Sequence, residues 1–290
     1  MSDGTTERRP TTVPGVAAMK AEGRRIVMTT AYDLTTTLLG DAVADMLLVG
    51  DSVGTTCLGF PNTLPVTVPM IAHHLDAVMR AAPRALVVAD MPFLSYHVDL
   101  AETVRNAGDL ARRGAGAVKV EGGAKRVEAI GRIIDAEIPV MGHLGLTPQS
   151  FNMMGGHKVQ ARKGAQVARI LDDACALEEA GCFALVLEGV PFEVAEKITN
   201  VVRIPTIGIG AGAGCDGQVL VIHDILGLTR GHTPKFVRSY IDGFGVLSDA
   251  MKRWSADVRE GTFPGEAESY KLPADAKAAL AEWRRDASGA

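Results

Sequence analysis

Short apolar runs alternate along the chain with longer amphipathic stretches. Eight runs stand out: Ile26–Thr30, Met46–Gly50, Ala85–Asp90, Ala117–Glu121, Pro139–Leu144, Phe183–Glu188, Pro205–Ile209 and Val219–Ile222. Most are continuously apolar rather than alternating, as in strands covered on both faces. Between them the helical period shows in Ile71, Leu75, Val78 and Met79, in Leu100, Val104, Ala107 and Ala111, and in Val127, Ile130 and Ile134. Eight buried strands, each followed by an amphipathic stretch, predict an α/β fold that closes as a (β/α)8 TIM barrel.

Beyond the eighth run, Tyr240, Phe244, Leu247, Met251, Trp254 and Val258 are spaced alternately by four and three. That narrow seam packs on the barrel or on a second subunit, and the spacing leaves both open. The connection Gly145–Gly164 contains Pro148 and Gly155-Gly156, shows no regular period, and is a candidate gate. The expected organisation is a flexible segment over 1–14, a catalytic barrel over 15–265 and a C-terminal extension over 266–290.

Composition narrows the function classes. Of 290 residues 47% are hydrophobic, enough for one large core, and the formal net charge of −4 comes with no basic patch for a nucleic acid. No run of about 18 apolar residues predicts a membrane span. Cys57, Cys175, Cys182 and Cys215 form no CxxC pair, so reduced thiols in a cytoplasmic protein are expected, not a zinc site or a disulfide framework.

In a (β/α)8 barrel the C-terminal strand ends converge on one mouth. Asp51, Asp90, Glu121 and Glu188 all fall at or just after such ends. One such acid is commonly a helix N-cap; four together point to a site. Converging carboxylates repel and need cations, and Lys119 supplies one charge. With only oxygen ligands at hand, a divalent cation of the Mg²⁺ kind is expected.

Lys119 and Glu121 share one face of their strand, either as a buried charge pair or as a seat for an anionic substrate. His143 is a satisfied core histidine or a substrate contact, and His223 after the eighth run has the same two readings. His73 and His74 fall on an outer helix and are expected to pack or face solvent. The run Gly208-Ile-Gly-Ala-Gly-Ala-Gly214 lacks the G-x-G-x-x-G order of a dinucleotide site and reads as a tight turn or a loop admitting a cofactor.

Several motifs resemble one family. Val49-Gly-Asp-Ser-Val-Gly54, Ala89-Asp-Met-Pro-Phe93, Val118-Lys-Val-Glu-Gly-Gly123, Gly142-His-Leu-Gly-Leu-Thr-Pro-Gln-Ser150 and Ile207-Gly-Ile-Gly-Ala-Gly212 are similar to ketopantoate hydroxymethyltransferases. Thr29-Ala-Tyr-Asp33 and Gly231-His-Thr-Pro-Lys-Phe236 extend the likeness, which runs from about Thr11 to about Gly265.

The resemblance implies a barrel of the phosphoenolpyruvate/pyruvate type and a homo-oligomer, a decamer. It also implies transfer of a hydroxymethyl group from 5,10-methylenetetrahydrofolate to 3-methyl-2-oxobutanoate, giving 2-dehydropantoate in pantothenate synthesis. By the same likeness Asp51 and Asp90 bind Mg²⁺, and Glu121 completes the metal site through water. Ser52, Lys119 and His143, with the two aspartates, contact the 2-oxo acid. Glu188 is the base that forms the Mg²⁺-stabilised enolate. The stretch Ala213-Gly-Cys215 is variable in the family, and Pro273–Ala290 extends past its usual end.

Two rivals remain on these grounds. One is a lyase or phosphonomutase built on a similar Mg²⁺ site, and the other is a metal-stabilised barrel that binds without catalysis.

Overall fold

The computed structural model describes residues 9–156, 159–231 and 233–283. Outside them lie most of the predicted flexible N-terminal segment, the end of the C-terminal extension, positions 157 and 158 of the predicted gate, and position 232 of the Gly231–Phe236 motif. The chain forms two compact units, Met1–Ile241 and Asp242–Ala290.

The first unit is a closed parallel barrel in sequence order. Its strands are β1 Ile26–Thr30, β2 Met46–Val49, β3 Leu86–Asp90, β4 Ala117–Glu121, β5 Val140–Gly145, β6 Ala184–Glu188, β7 Thr206–Ile209 and β8 Gly217–Leu220. Side chains alternate between inside and outside along each strand, so the barrel has two cores. Outward residues such as Leu47, Val87, Val118 and Leu185 meet helix residues such as Leu75, Leu110, Ile130 and Leu177. Inward residues Ile26, Met28, Met46, Leu86, Ala117, Met141 and Ala184 fill the lumen.

The helix Val13–Ala21 closes the N-terminal end of that lumen by adding Val16 and Met19 to the inner cluster. Its start is fixed locally: Thr12 accepts a hydrogen bond from the Gly15 N–H (3.2 Å), and Pro14 suits the first turn. Lys20 then pins it, donating to the Thr199, Val202 and Ile204 carbonyls at 3.0 Å each and pairing with Asp216 at 3.0 Å. The predicted boundary at residue 14 therefore falls inside an ordered helix.

Three elements differ from the sequence expectation. β8 starts two residues earlier than Val219 and ends before Ile222, which belongs instead to a short helix, Ile222–Ile225. Its opening Gly217 is required because a Cβ there would lie 2.4 Å from the Ile26 carbonyl oxygen. No helix separates β7 from β8; the glycine-rich link 210–216 runs back directly, since seven residues span up to about 23 Å when extended. It is held so close to the helix Phe192–Val201 that a Cβ on Gly212 would lie 2.4 Å from the Phe192 Cβ. This is a packed link from which no helix opens, unlike the strand–turn–helix of a dinucleotide site. The connection after β5 is also not structureless: it opens with a 3-10 turn, Pro148–Ser150, and one helical turn, Phe151–Met154.

The second unit contains the helices Gly243–Glu260 and Ala274–Glu282. Along the first of these Phe244, Leu247, Met251, Trp254 and Val258 are exposed. No helix among the described residues is long and apolar enough to cross a membrane.

Candidate active site

The inward residues of four neighbouring strands turn from apolar to polar toward their C-terminal ends. β3 carries Leu86, Val88 and Asp90; β4 carries Ala117, Lys119 and Glu121; β5 carries Met141 and His143; β6 carries Ala184, Val186 and Glu188. Parallel register brings them level: Asp90 pairs with Lys119, Glu121 with His143, and Gly145 with Glu188. Gly145 has φ +95°, and a Cβ there would lie 2.1 Å from the Glu188 carbonyl oxygen, so β5 can approach β6 this closely only with glycine.

The charged groups form a continuous chain. The Asp51 N–H donates to Asp90 Oδ2 (2.8 Å), and Lys119 Nζ lies 2.7 Å from Asp90 Oδ1 and 3.7 Å from Glu121 Oε1. His143 Nδ1 is 3.3 Å from both Lys119 Nζ and Glu121 Oε1, and its Nε2 is 3.2 Å from Glu188 Oε2. Asp51, Asp90, Lys119, Glu121 and His143 are all buried, while the Glu188 side chain keeps 15% exposure toward the mouth. Ser52 Oγ is hydrogen-bonded to the Tyr32 hydroxyl at 2.7 Å.

Burial and the charges of Asp90 and Glu121 hold the Asp51 carboxyl well above the usual carboxylate range. Burial also raises Asp90, although Lys119 opposes it. Burial works against the charge of Lys119 and Glu121 too, but there it loses. Asp90, Glu121 and Asp51 keep Lys119 protonated, and His143, Lys119 and the Gln149 N–H bring Glu121 below the usual range. His143 is depressed by burial and Lys119, yet its contacts with Glu121 and Glu188 lift it to about 9.

With every group ionised, the four carboxylates face two cations and leave two negative charges uncompensated. Three buried atoms here, Asp90 Oδ1, Glu121 Oε1 and His143 Nε2, lack a well-aligned hydrogen bond and meet their neighbours only as ion pairs. Among the described residues no three such side chains enclose an ion as they stand. The donor set itself, buried carboxylate oxygens with a deficit of two charges, fits a hard divalent cation.

All seven residues singled out in the sequence (Asp51, Ser52, Asp90, Lys119, Glu121, His143 and Glu188) line one cavity of about 1130 Å³. Its outer wall comes from other loops, with Phe60, Gly210, Leu228, Lys235 and Phe236. A 2-oxo acid would fill only a fraction of it.

Comparison with known proteins bears on what this cavity is for. Residues 10–266 match the family model of ketopantoate hydroxymethyltransferase. A 3-methyl-2-oxobutanoate hydroxymethyltransferase of Bradyrhizobium diazoefficiens is 60% identical over 94% of this chain and 93% of its own. The chain belongs to the ketopantoate hydroxymethyltransferase family. A Geotalea uraniireducens protein, also named 3-methyl-2-oxobutanoate hydroxymethyltransferase, is 51% identical over 91% of this chain and 99% of its own. The fold agrees with that of 2,3-dimethylmalate lyase, a member of the PEP mutase/isocitrate lyase superfamily. The TM-score is 0.56 at 15% identity, covering 93% of this chain and 98% of the lyase.

Within this ketopantoate hydroxymethyltransferase frame, some neighbours of the site went unassigned in the sequence. Tyr32 supports Ser52, and Tyr96 and Gln149 lie beneath the carboxylates. Tyr32 and Gln149 sit inside motifs that carry the family likeness, which was their only signal. His74 packs, with its Nδ1 2.8 Å from the Tyr32 carbonyl oxygen, and His223 lies against the Tyr32 ring. The cysteines are free, and Cys182 is pushed up to about 12 by burial.

Proposed function

We propose that this chain transfers a hydroxymethyl group from 5,10-methylenetetrahydrofolate to 3-methyl-2-oxobutanoate, giving 2-dehydropantoate for pantothenate synthesis. The observation that carries the reading is the single cavity in which Glu188 stands across His143 from Asp51, Asp90, Glu121 and Lys119. Mg²⁺, held by Asp51 and Asp90 and through water by Glu121, would supply the Lewis acidity that makes C3 of a chelating 2-oxo acid acidic.

The chain's own groups do the rest. Lys119 offsets negative charge on the substrate, and Ser52, steadied by Tyr32, offers it a hydroxyl. Glu188 accepts the C3 proton, while His143, 3.2 Å away, steadies the Glu188 carboxylate. The resulting carbon nucleophile attacks the methylene carbon of the folate. One C–N bond of the methylene bridge opens and the C–C bond forms in its place. Water then displaces the second nitrogen to give the hydroxymethyl group, and the C3 proton taken by Glu188 and one proton of that water end on the two nitrogens of the departing tetrahydrofolate. The unfilled part of the 1130 Å³ cavity gives the larger co-substrate room beside the oxo acid.

The homo-oligomer implied by the family, a decamer, has a surface to use in the exposed stripe from Phe244 to Val258, with a second copy of the chain as its partner. With reduced cysteines, the cytoplasm is the compartment we assign.

The reading is tested by C3 proton exchange of 3-methyl-2-oxobutanoate in D₂O, followed by NMR without folate. Exchange that requires Mg²⁺ and is lost in Glu188→Gln is expected. Exchange that is absent in the wild type with excess Mg²⁺ overturns it.

A further inference from the structure

Beneath the cavity, and not among the residues that line it, lies Gln149, which is 5% exposed. Its side-chain amide and its backbone N–H are all committed. Nε2 donates to Asp51 Oδ2 (3.0 Å) and to the Met91 carbonyl oxygen (3.0 Å). Oε1 accepts from the Tyr96 hydroxyl (2.6 Å), and the backbone N–H donates to Glu121 Oε2 (3.1 Å). The amide cannot be turned around without setting its oxygen against a carboxylate and a carbonyl, so the orientation is chemically determined.

Gln149 therefore joins the ends of β2, β3 and β4 to the segment after β5. It meets two carboxylates, Asp51 through its side chain and Glu121 through its backbone, and gives each a donor without adding a charge. The arm that carries it is itself fixed. The Ser150 N–H donates to the Thr147 carbonyl (2.8 Å), Pro148 restricts the turn, and the Leu146 N–H donates to the Glu188 carbonyl (2.7 Å). Tyr96 completes the frame, since its oxygen also accepts from the Glu121 N–H at 3.3 Å.

We infer that Gln149 is a positioning residue that fixes the Asp51 and Glu121 carboxylates in the orientation needed to take up the divalent cation. The inference rests on the metal-dependent reading above. A carboxylate held by a directed hydrogen bond loses little freedom on coordination, and outer groups of this kind are worth roughly 10–100-fold in metal affinity.

The test uses Mn²⁺ as the probe, with binding read from the EPR signal of the free ion and exchange of the C3 proton measured in parallel. Gln149→Met keeps the length and removes the side-chain donors. Its Mn²⁺ dissociation constant is expected to rise about tenfold, and exchange is expected to recover at saturating Mn²⁺. That split between loading and turnover is one that general misfolding would not produce. If Gln149→Met does not fold, Tyr96→Phe carries the same test with a rise of a few fold, because it frees the amide oxygen but leaves the donors. Unchanged Mn²⁺ affinity in the folded variant overturns the inference, as does lost exchange at saturating Mn²⁺. A wild-type protein that binds no Mn²⁺ overturns the metal reading and this inference with it. Wild-type binding with an unaffected variant overturns this inference alone.

Discussion

At the N-terminal ends of the strands the lumen is dry. Ile26, Met46, Leu86, Ala117, Met141 and Ala184 meet one another, and Val16 and Met19 enter from below. Four residues further along β3, β4 and β6 the inward positions are Asp90, Glu121 and Glu188. The two ends share strands and register but not energetics. The lower end gains from removing apolar area from water, roughly 25 cal/mol per Å². The upper end buries carboxylates whose mutual repulsion is only partly offset, which costs stability. A charged site of this kind can stay rigid because a close-packed layer beneath it holds every strand in register. Substitutions above should therefore act on chemistry, and substitutions below on stability.

Lys119 should break that division most strongly, because it is the buried cation on which Asp90, Glu121 and Asp51 depend. Lys119→Met leaves uncompensated buried charge, and we expect a loss of about 3–5 kcal/mol of stability in metal-free buffer. Oxo acid binding and C3 exchange should be impaired together. Chemical denaturation beside the NMR exchange assay decides it, and a variant intact in both would show that the ammonium is not needed. Glu188→Gln should respect the division: exchange falls by about 10²–10⁴-fold while the denaturation midpoint stays near that of the wild type. A midpoint that drops with the rate would place Glu188 among the structural groups.

Below, the pattern should invert. Met19 is 4% exposed in the inner cluster, and Met19→Ala is expected to cost about 2–3 kcal/mol of stability. Exchange per folded molecule should hold at temperatures where the variant remains native. A large change in the rate there would mean that the lower plug transmits to the mouth, and the two ends would no longer count as separate.

The same contrast explains what the sequence disclosed. Acids closing apolar runs are visible without a structure, because a charge at the end of a buried strand has few places to go except the barrel mouth. Asp51, Asp90, Glu121 and Glu188 were found that way, and all four line the cavity. β8 was placed two residues late because Gly217 and Gln218 carry no apolar signal; Gly217 is there for a close approach to the Ile26 carbonyl. The eight-unit pattern also implied a helix after β7, where the chain uses a glycine-rich link packed on the helix Phe192–Val201. The family motif singled out the stretch around Gln149, but the contacts that Gln149 and Tyr96 make were illegible for another reason. A glutamine in a turn has no periodicity to betray it, and its four partners, residues 51, 91, 96 and 121, all lie far from it in sequence.

The smallest effect is expected at Ser52, where the site meets its supporting ring. Among the described residues its hydroxyl has one side-chain partner, the Tyr32 hydroxyl at 2.7 Å, and it lines the cavity beside Asp51. Ser52→Ala removes a neutral hydrogen bond worth about 1 kcal/mol. If that hydroxyl meets the oxo acid, the loss appears as a KM for 3-methyl-2-oxobutanoate raised a few fold, with kcat for exchange nearly unchanged. Tyr32→Phe separates the roles: it leaves Ser52 in place but unsteadied, so its effect on KM should be smaller than that of Ser52→Ala. Were Tyr32→Phe the more damaging of the two, the Tyr32 hydroxyl would be the substrate contact and Ser52 its support, and the division between the mouth and its supporting ring would have to be redrawn at that point.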